Sequence, residues 1–217
     1  MEGVVEGAVG MVPVVGSPIA SLLAVAMGWS LGKRTNAWLD ELAETVEEMR
    51  KRLDGQPTVD ELVNDDVFVD AVVNATRAAQ GTHQKAKRDA LRNGVYNSLG
   101  PDAPAVDEQV RFFRLIDEFS PAHLRLLRFL DDPSAVYESA GVEKPNLMMG
   151  GRSHLLEAVW PEFAGQRPWY DLLAADLERT HLVGASGLHV TMSGAGVWGS
   201  ATSDLGKRFL TFITGSS

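Results

Sequence analysis

Leu39, Leu42, Val46, Met49 and Leu53 recur at alternating steps of three and four, which draws a single apolar stripe down a helix beginning near Ala37. Asp40, Glu41, Glu44, Glu47 and Glu48 come first and Arg50, Lys51 and Arg52 last, an order that complements the helix dipole. Asp54-Gly55-Gln56-Pro57 stops this helix, and Thr58 with Glu61 predicts a capping box for a short successor. A longer helical pattern starts near Asp65 or Asp66 and runs through Phe68, Val72, Ala75 and Ala79 to His83, Ala86, Leu91, Val95 and Leu99, with Gly81 as its point of kink or division. Gly100-Pro101-Asp102-Ala103-Pro104 closes the unit.

Beyond this loop, Val110, Phe113, Leu115 and Ile116 predict an amphipathic helix ending near Phe119. Ser120-Pro121 restarts the chain with an N-cap and a first-turn proline, Leu124, Leu127, Phe129 and Leu130 supply the apolar face, and Asp131-Asp132-Pro133 ends it. After a Gly- and Met-containing loop from 141 to 151, Ser153 caps a helix over Leu155 to Trp160, and Pro168 starts another over Trp169 to Thr180. Leu188 to Met192 alternates as a strand, Ser193 to Gly196 makes a turn, Val197 and Trp198 return, and Thr202 to Thr214 forms a closing helix. The expected fold is therefore mainly α: a helical N-terminal and middle region, then a winged helix-turn-helix-like domain whose wing is one small β-hairpin. The divisions are 1–34, 35–104 and 105–217.

The first of these divisions differs in kind. Ala8 to Leu31 holds 24 residues without a charge, while Lys and Arg occur only after it. As one helix it would measure about 36 Å, enough for a bilayer core of about 30 Å, but Pro13 and Pro18 break that helix and leave 13 residues, Ile19 to Leu31, as the longest proline-free stretch. Glu2 and Glu6, where a positive n-region belongs, oppose a secretory signal. The segment is expected either to be buried in the protein or an oligomer, or to contact or insert into a membrane, with Trp29, Lys33 and Arg34 at the interface. The expected location is the cytoplasm, peripheral to or inserted in the inner membrane in the second case.

Composition then removes chemistry. With no cysteine among 217 residues, disulfides, thiol nucleophiles and thiolate metal sites are excluded. A net charge of −9 opposes phosphate-backbone binding, which depends on Lys and Arg releasing counterions. His83, Lys85, Lys87, Arg88 and Arg92 form a dense basic cluster that could hold a phosphate or an acidic partner, against the plainer reading of a solvated helix face with a packed or hydrogen-bonded His83. Residues 101–147 carry nine acidic and five basic side chains, which makes that stretch a candidate intramolecular partner for the cluster. The expected recognition helix, Trp169 to Thr180, offers Asp171, Asp176 and Glu178 against Arg179 alone, so protein contact is expected over DNA contact. The DNA alternative rests on convergence of Arg152, Arg167, Lys207 and Arg208.

Gly194-Ala195-Gly196-Val197-Trp198-Gly199 has the G-x-G-x-x-G form, but 18 residues remain after it, too few for a dinucleotide unit. Gly206-Lys207 lacks the rest of a phosphate loop, since Ala201 and Arg208 stand where a glycine and a Ser or Thr belong. Gly184-Ala185-Ser186-Gly187 is one residue short of a nucleophile elbow. The histidines at 83, 123, 154, 181 and 189 contain no H-x-x-x-H pair. No catalytic residue, metal site or cofactor is nominated.

The stretches "THQKAKRDALRNGVYNS", "FFRLIDEFSPAHLRLLRFLDDP" and "TSDLGKRFLTFI" resemble a set of uncharacterised bacterial helical proteins, and the layout is similar to that of the abortive-infection alpha family. The resemblance covers helix packing, transfers no catalytic residue, and implies a role in phage defence or stress response. The expected function is that of a non-enzymatic interaction or effector protein with a protein partner or a homo-oligomeric state. The alternatives are a winged-helix transcription regulator and an enzyme whose site is assembled from dispersed Asp, Glu and His.

Overall fold

The computed structural model describes residues 18–26, 33–185 and 187–215. Its architecture is mainly α. The N-terminal half contains α1 (Pro18–Ala26), α2 (Lys33–Arg52), α3 (Val59–Leu62), α4 (Asp66–Gln80) and α5 (Lys85–Tyr96). The C-terminal half contains α6 (Val106–Glu118), α7 (Pro121–Asp131), α8 (Pro133–Ala140), β1 (Met149–Gly150), α9 (Arg152–Val159), a 3-10 turn (Pro161–Phe163), α10 (Arg167–Arg179), β2 (Met192–Ser193), α11 (Gly194–Trp198) and α12 (Asp204–Phe212).

The local signals act as their chemistry requires. Thr58 and Glu61 form the reciprocal capping box that opens α3. Asp65 accepts the amides of Val67 and Phe68 to start α4, and the long pattern divides at Gly81. Helix α8 is an addition to the expected elements: Asp132 caps it by accepting the Ala135 amide, Pro133 occupies its first turn, and Gly141 closes it with a φ of 65°. The same Asp-Pro sequence that ends α7 therefore begins α8.

The expected hairpin over 188–198 does not form. Ser193 caps a new helix instead by accepting the Gly196 amide, so the residues assigned to the turn and return strand become α11, which buries Val197. Met192–Ser193 pairs antiparallel with Met149–Gly150, in the register Met149 to Ser193 and Gly150 to Met192. The preceding residues are also engaged, since the Leu188 carbonyl accepts the Ser153 amide at 2.8 Å and thereby satisfies one orphan donor at the start of α9.

One apolar core extends from α1 to α12 and continues across residues 104 and 105. Phe112 and Phe113 of α6 meet Phe209 and Phe212 of α12 at centroid separations of 5.2 to 5.3 Å, an edge-to-face cluster that holds the last helix against the middle of the chain. Asn93 of α5 and Asn97, its C-cap, add amide hydrogen bonds to the carbonyls of Ile213, Phe212 and Thr214. Helix α1 packs on α2 and buries Ala20, Leu23 and Ala24, while Leu22 and Val25 face outward. Among the described residues no helix is long and apolar enough to cross a membrane. Trp29 lies outside the described residues; Lys33 and Arg34 open α2, but their side chains are also outside them.

Candidate interaction surface

The cations of the basic cluster are engaged within the protein. Lys85 and Arg92 both bind Asp89, at 2.7 and 2.8 Å, and Arg88 spans to Glu41 of α2 at 2.9 Å with its guanidinium over the Trp38 ring. Lys87 is buried, and its ammonium donates to the Asp117 carbonyl at the end of α6; burial lowers its pKa, with the charge of Asp117 opposing that shift. Lys87 thus joins the cluster to the 101–147 stretch through one backbone oxygen. His83 precedes α5 and is exposed, which corrects the expectation of a packed imidazole. It lines a depression of about 410 Å³ with Glu41, Lys85, Arg88, Asp89 and Arg92, so acid and base share the same wall.

The cations proposed for DNA do not converge. Arg152 is buried and donates to the Gly196 and Gly199 carbonyls at 3.1 and 2.8 Å, locking α11 and its exit onto α9, and burial lowers its pKa. Arg167 reaches Asp171 at 3.4 Å, and Arg208 binds Glu108 at 2.8 Å. Lys207 and Arg208 do line one cleft of about 800 Å³ together with Arg52, but Asp102, Glu108 and Asp131 line it too, which leaves no net positive field for a phosphate.

A Ser-His-Asp chain is present that the sequence reading did not assemble. His123 Nδ1 lies 2.9 Å from Ser120 Oγ and 3.1 Å from the Ser120 amide, while its Nε2 lies 3.2 Å from Asp176 Oδ2. The geometry is that of a staple. Nδ1 accepts the Ser120 amide, which places the ring proton on Nε2 facing Asp176; Ser120 Oγ is meanwhile committed to the α7 capping box. His123 is buried and stacked on Phe119 at 4.8 Å, and burial lowers its pKa against the opposing effect of Asp176. Asp176 is also held by Arg179 at 3.1 Å. The result is a polar tie between α7 and α10.

Elsewhere Tyr170 donates to Glu157 at 2.8 Å, and burial followed by this carboxylate pushes its phenol up to about 12. Among the described residues no three His, Asp or Glu side chains group so as to hold a metal.

What remains unexplained by folding is the outer face of α10. The helix buries Tyr170, Leu173, Ala174 and Leu177, a complete stripe for one face, yet Trp169 and Leu172 are left 45% and 52% exposed, and Ala175 is exposed beside them. His189 Nε2 contacts Asp171 Oδ1 at 2.6 Å, which ties the 188–190 segment to the helix; Val190 in that segment is 60% exposed. The β1–β2 pair carries the exposed Met149 and, just before it, Met148. The sequence signal for this face was two apolar residues of α10 in excess of its buried stripe.

Searches against protein-family models, curated proteins and solved structures return no match.

Proposed function

We propose that this protein is a non-enzymatic interaction protein whose winged-helix-like C-terminal end docks protein through α10. The order β1–α9–α10–β2 supports the winged-helix reading, with α10 in the place of the recognition helix. The observation that carries the function is the character of that helix's outer face: Trp169 and Leu172 are exposed and apolar, where a DNA reader needs cations and polar side chains. The candidate phosphate contacts Arg152, Arg167 and Arg208 are engaged within the protein. Replacement of Trp169 by the photoreactive residue benzoylphenylalanine, followed by irradiation in producing cells, tests the reading. Protein adducts at 169, with none from the same residue at exposed Glu48, are expected; nucleic-acid adducts or no adduct would overturn it.

A second element of the reading is membrane contact by the N-terminal end, favoured by the outward Leu22 and Val25 of α1 within a stretch that has no charge from Ala8 to Leu31. Flotation of the full chain with vesicles, lost in the Leu22→Glu, Val25→Glu double variant, is the expected result. Equal flotation of both would remove this element.

A further inference from the structure

We infer that the depression of about 410 Å³ between α5 and α2 is a binding site for the phosphate group of a phosphomonoester, contacted by His83, Lys85 and Arg92.

Lys85, Arg88, Asp89 and Arg92 follow one another at steps of three, one and three, which places them on one face of α5. Glu41 of α2 meets that face through Arg88, and His83 stands just before the helix, so all six side chains line the same hollow. Three permanent cations there meet two carboxylates. One positive charge is left over in a chain whose total is −9, and His83 adds a second when protonated. The cleft beside α12 has no such excess, since Arg52, Lys207 and Arg208 meet Asp102, Glu108 and Asp131.

The excess falls on groups that can turn to a ligand. Arg88 holds both oxygens of Glu41, at 2.9 and 3.3 Å, and so fixes one wall. Asp89, by contrast, is divided: one oxygen serves Lys85 and the other Arg92. The Lys85 pair is an i,i+4 bond with the lysine side chain 85% exposed, a kind that contributes little and yields readily to a stronger acceptor. His83 is exposed and has no hydrogen bond or ion pair among the described residues. The backbone supports the same end of the hollow. Gln84, the N-cap of α5, makes no side-chain cap bond, and the amides of Lys85 and Ala86 have no acceptor among the described residues, at the positive end of the helix dipole. A phosphomonoester brings about two negative charges and three strong acceptor oxygens, which match one permanent and one His83-dependent charge and the donors of Lys85 and Arg92. The group fills only part of the hollow and leaves room for a small organic remainder.

Titration of the full chain with inorganic phosphate at constant pH and ionic strength, followed by the His83 ring protons in NMR, tests the site. Saturable shifts are expected. Lys85→Glu should weaken binding at least about tenfold, through the loss of one charge-assisted hydrogen bond and the added repulsion. Asp89→Asn releases Lys85 and Arg92 and should tighten binding by a similar factor, an outcome that a purely structural role for Asp89 does not produce. Lys51→Glu, an exposed change on α2 that alters net charge as much as Lys85→Glu does, should leave the affinity unchanged. Shifts that do not saturate, an equal loss in Lys51→Glu and Lys85→Glu, or weaker binding in an Asp89→Asn chain with the parent's circular dichroism would overturn the proposal. Where phosphate saturates, flotation with vesicles containing phosphatidic acid that Lys85→Glu reduces assigns the group to a lipid headgroup, and flotation indifferent to Lys85→Glu assigns it to a soluble phosphomonoester.

Discussion

Gly206 offers a test of whether the Gly206-Lys207 pair of α12 serves packing or ligand binding. A Cβ at this position would collide with the carbonyl of Leu182 and with the Thr202 methyl group, so α12 lies directly on the backbone of the 182–183 segment. That carbonyl cannot retreat cheaply, because it accepts the Ser203 amide at 2.9 Å and the Ser203 hydroxyl at 3.1 Å, and Ser203 is the N-cap of α12. Gly206→Ala gains helix propensity of about 1 kcal/mol. Against this stand an overpacking cost of about 1–3 kcal/mol and, if Leu182 moves, the loss of a cap at about 0.5–2 kcal/mol. The net expectation is a destabilisation of roughly 0.5–4 kcal/mol. Urea unfolding followed by tryptophan fluorescence and circular dichroism measures it, with Gly81→Ala as the control. At Gly81 the nearest atom to an added Cβ is the Ala78 carbonyl oxygen at 3.6 Å, so this variant should match or exceed the parent in stability. A Gly206→Ala protein as stable as the parent would refute the packing account and reopen the glycine to another role.

Two further outcomes follow from the buried polar groups. His123 has its pKa lowered from 6.5 by burial, so the folded state binds its proton less readily than the unfolded state does; its contribution to stability is complete above pH 6.5 and is lost as pH falls from there through the folded value. Its ring C2 proton should titrate by NMR with a midpoint below 6.5, and lower still in Asp176→Asn, which removes the partner that favours the charged form; a midpoint at or above 6.5 would contradict the burial argument. Arg152→Met leaves the Gly199 carbonyl without its guanidinium donor and the Gly196 carbonyl with the Gly199 amide alone, and should cost about 1–3 kcal/mol in chemical unfolding, as leaving a buried acceptor unsatisfied does. An unchanged midpoint would mean that Arg152 is not what anchors α11.

The elements of this protein were legible where their signals are local. The α2 stripe, the Thr58–Glu61 box, the Asp65 cap and the Ser120-Pro121 start each depend on residues within a turn of one another, and such contacts form whatever the rest of the chain does. Helix α8 has the same kind of signal in Asp132, Pro133 and Gly141, but Asp132 and Pro133 serve equally as the end of α7, which hides it. Clusters and sites were not legible in this way. The basic run from His83 to Arg92 is plain in the sequence, but the pairing of Arg88 required Glu41, 47 positions away, and the position of α5 beside α2. Arg152, by sequence a candidate for phosphate, became an internal anchor once α11 packed over it.

By itself the sequence determined a mainly helical chain with no thiol chemistry and an acidic balance, because composition and helical periodicity act without reference to the fold. Tertiary structure decided what Met192–Ser193 would pair with, since a two-residue strand gains too little from a local turn to outcompete the β1 edge already positioned by α9. It also decided which apolar residues of α10 stayed outside. A helix buries one stripe against the core, and with Tyr170, Leu173 and Leu177 on that stripe, Trp169 and Leu172 were left to solvent.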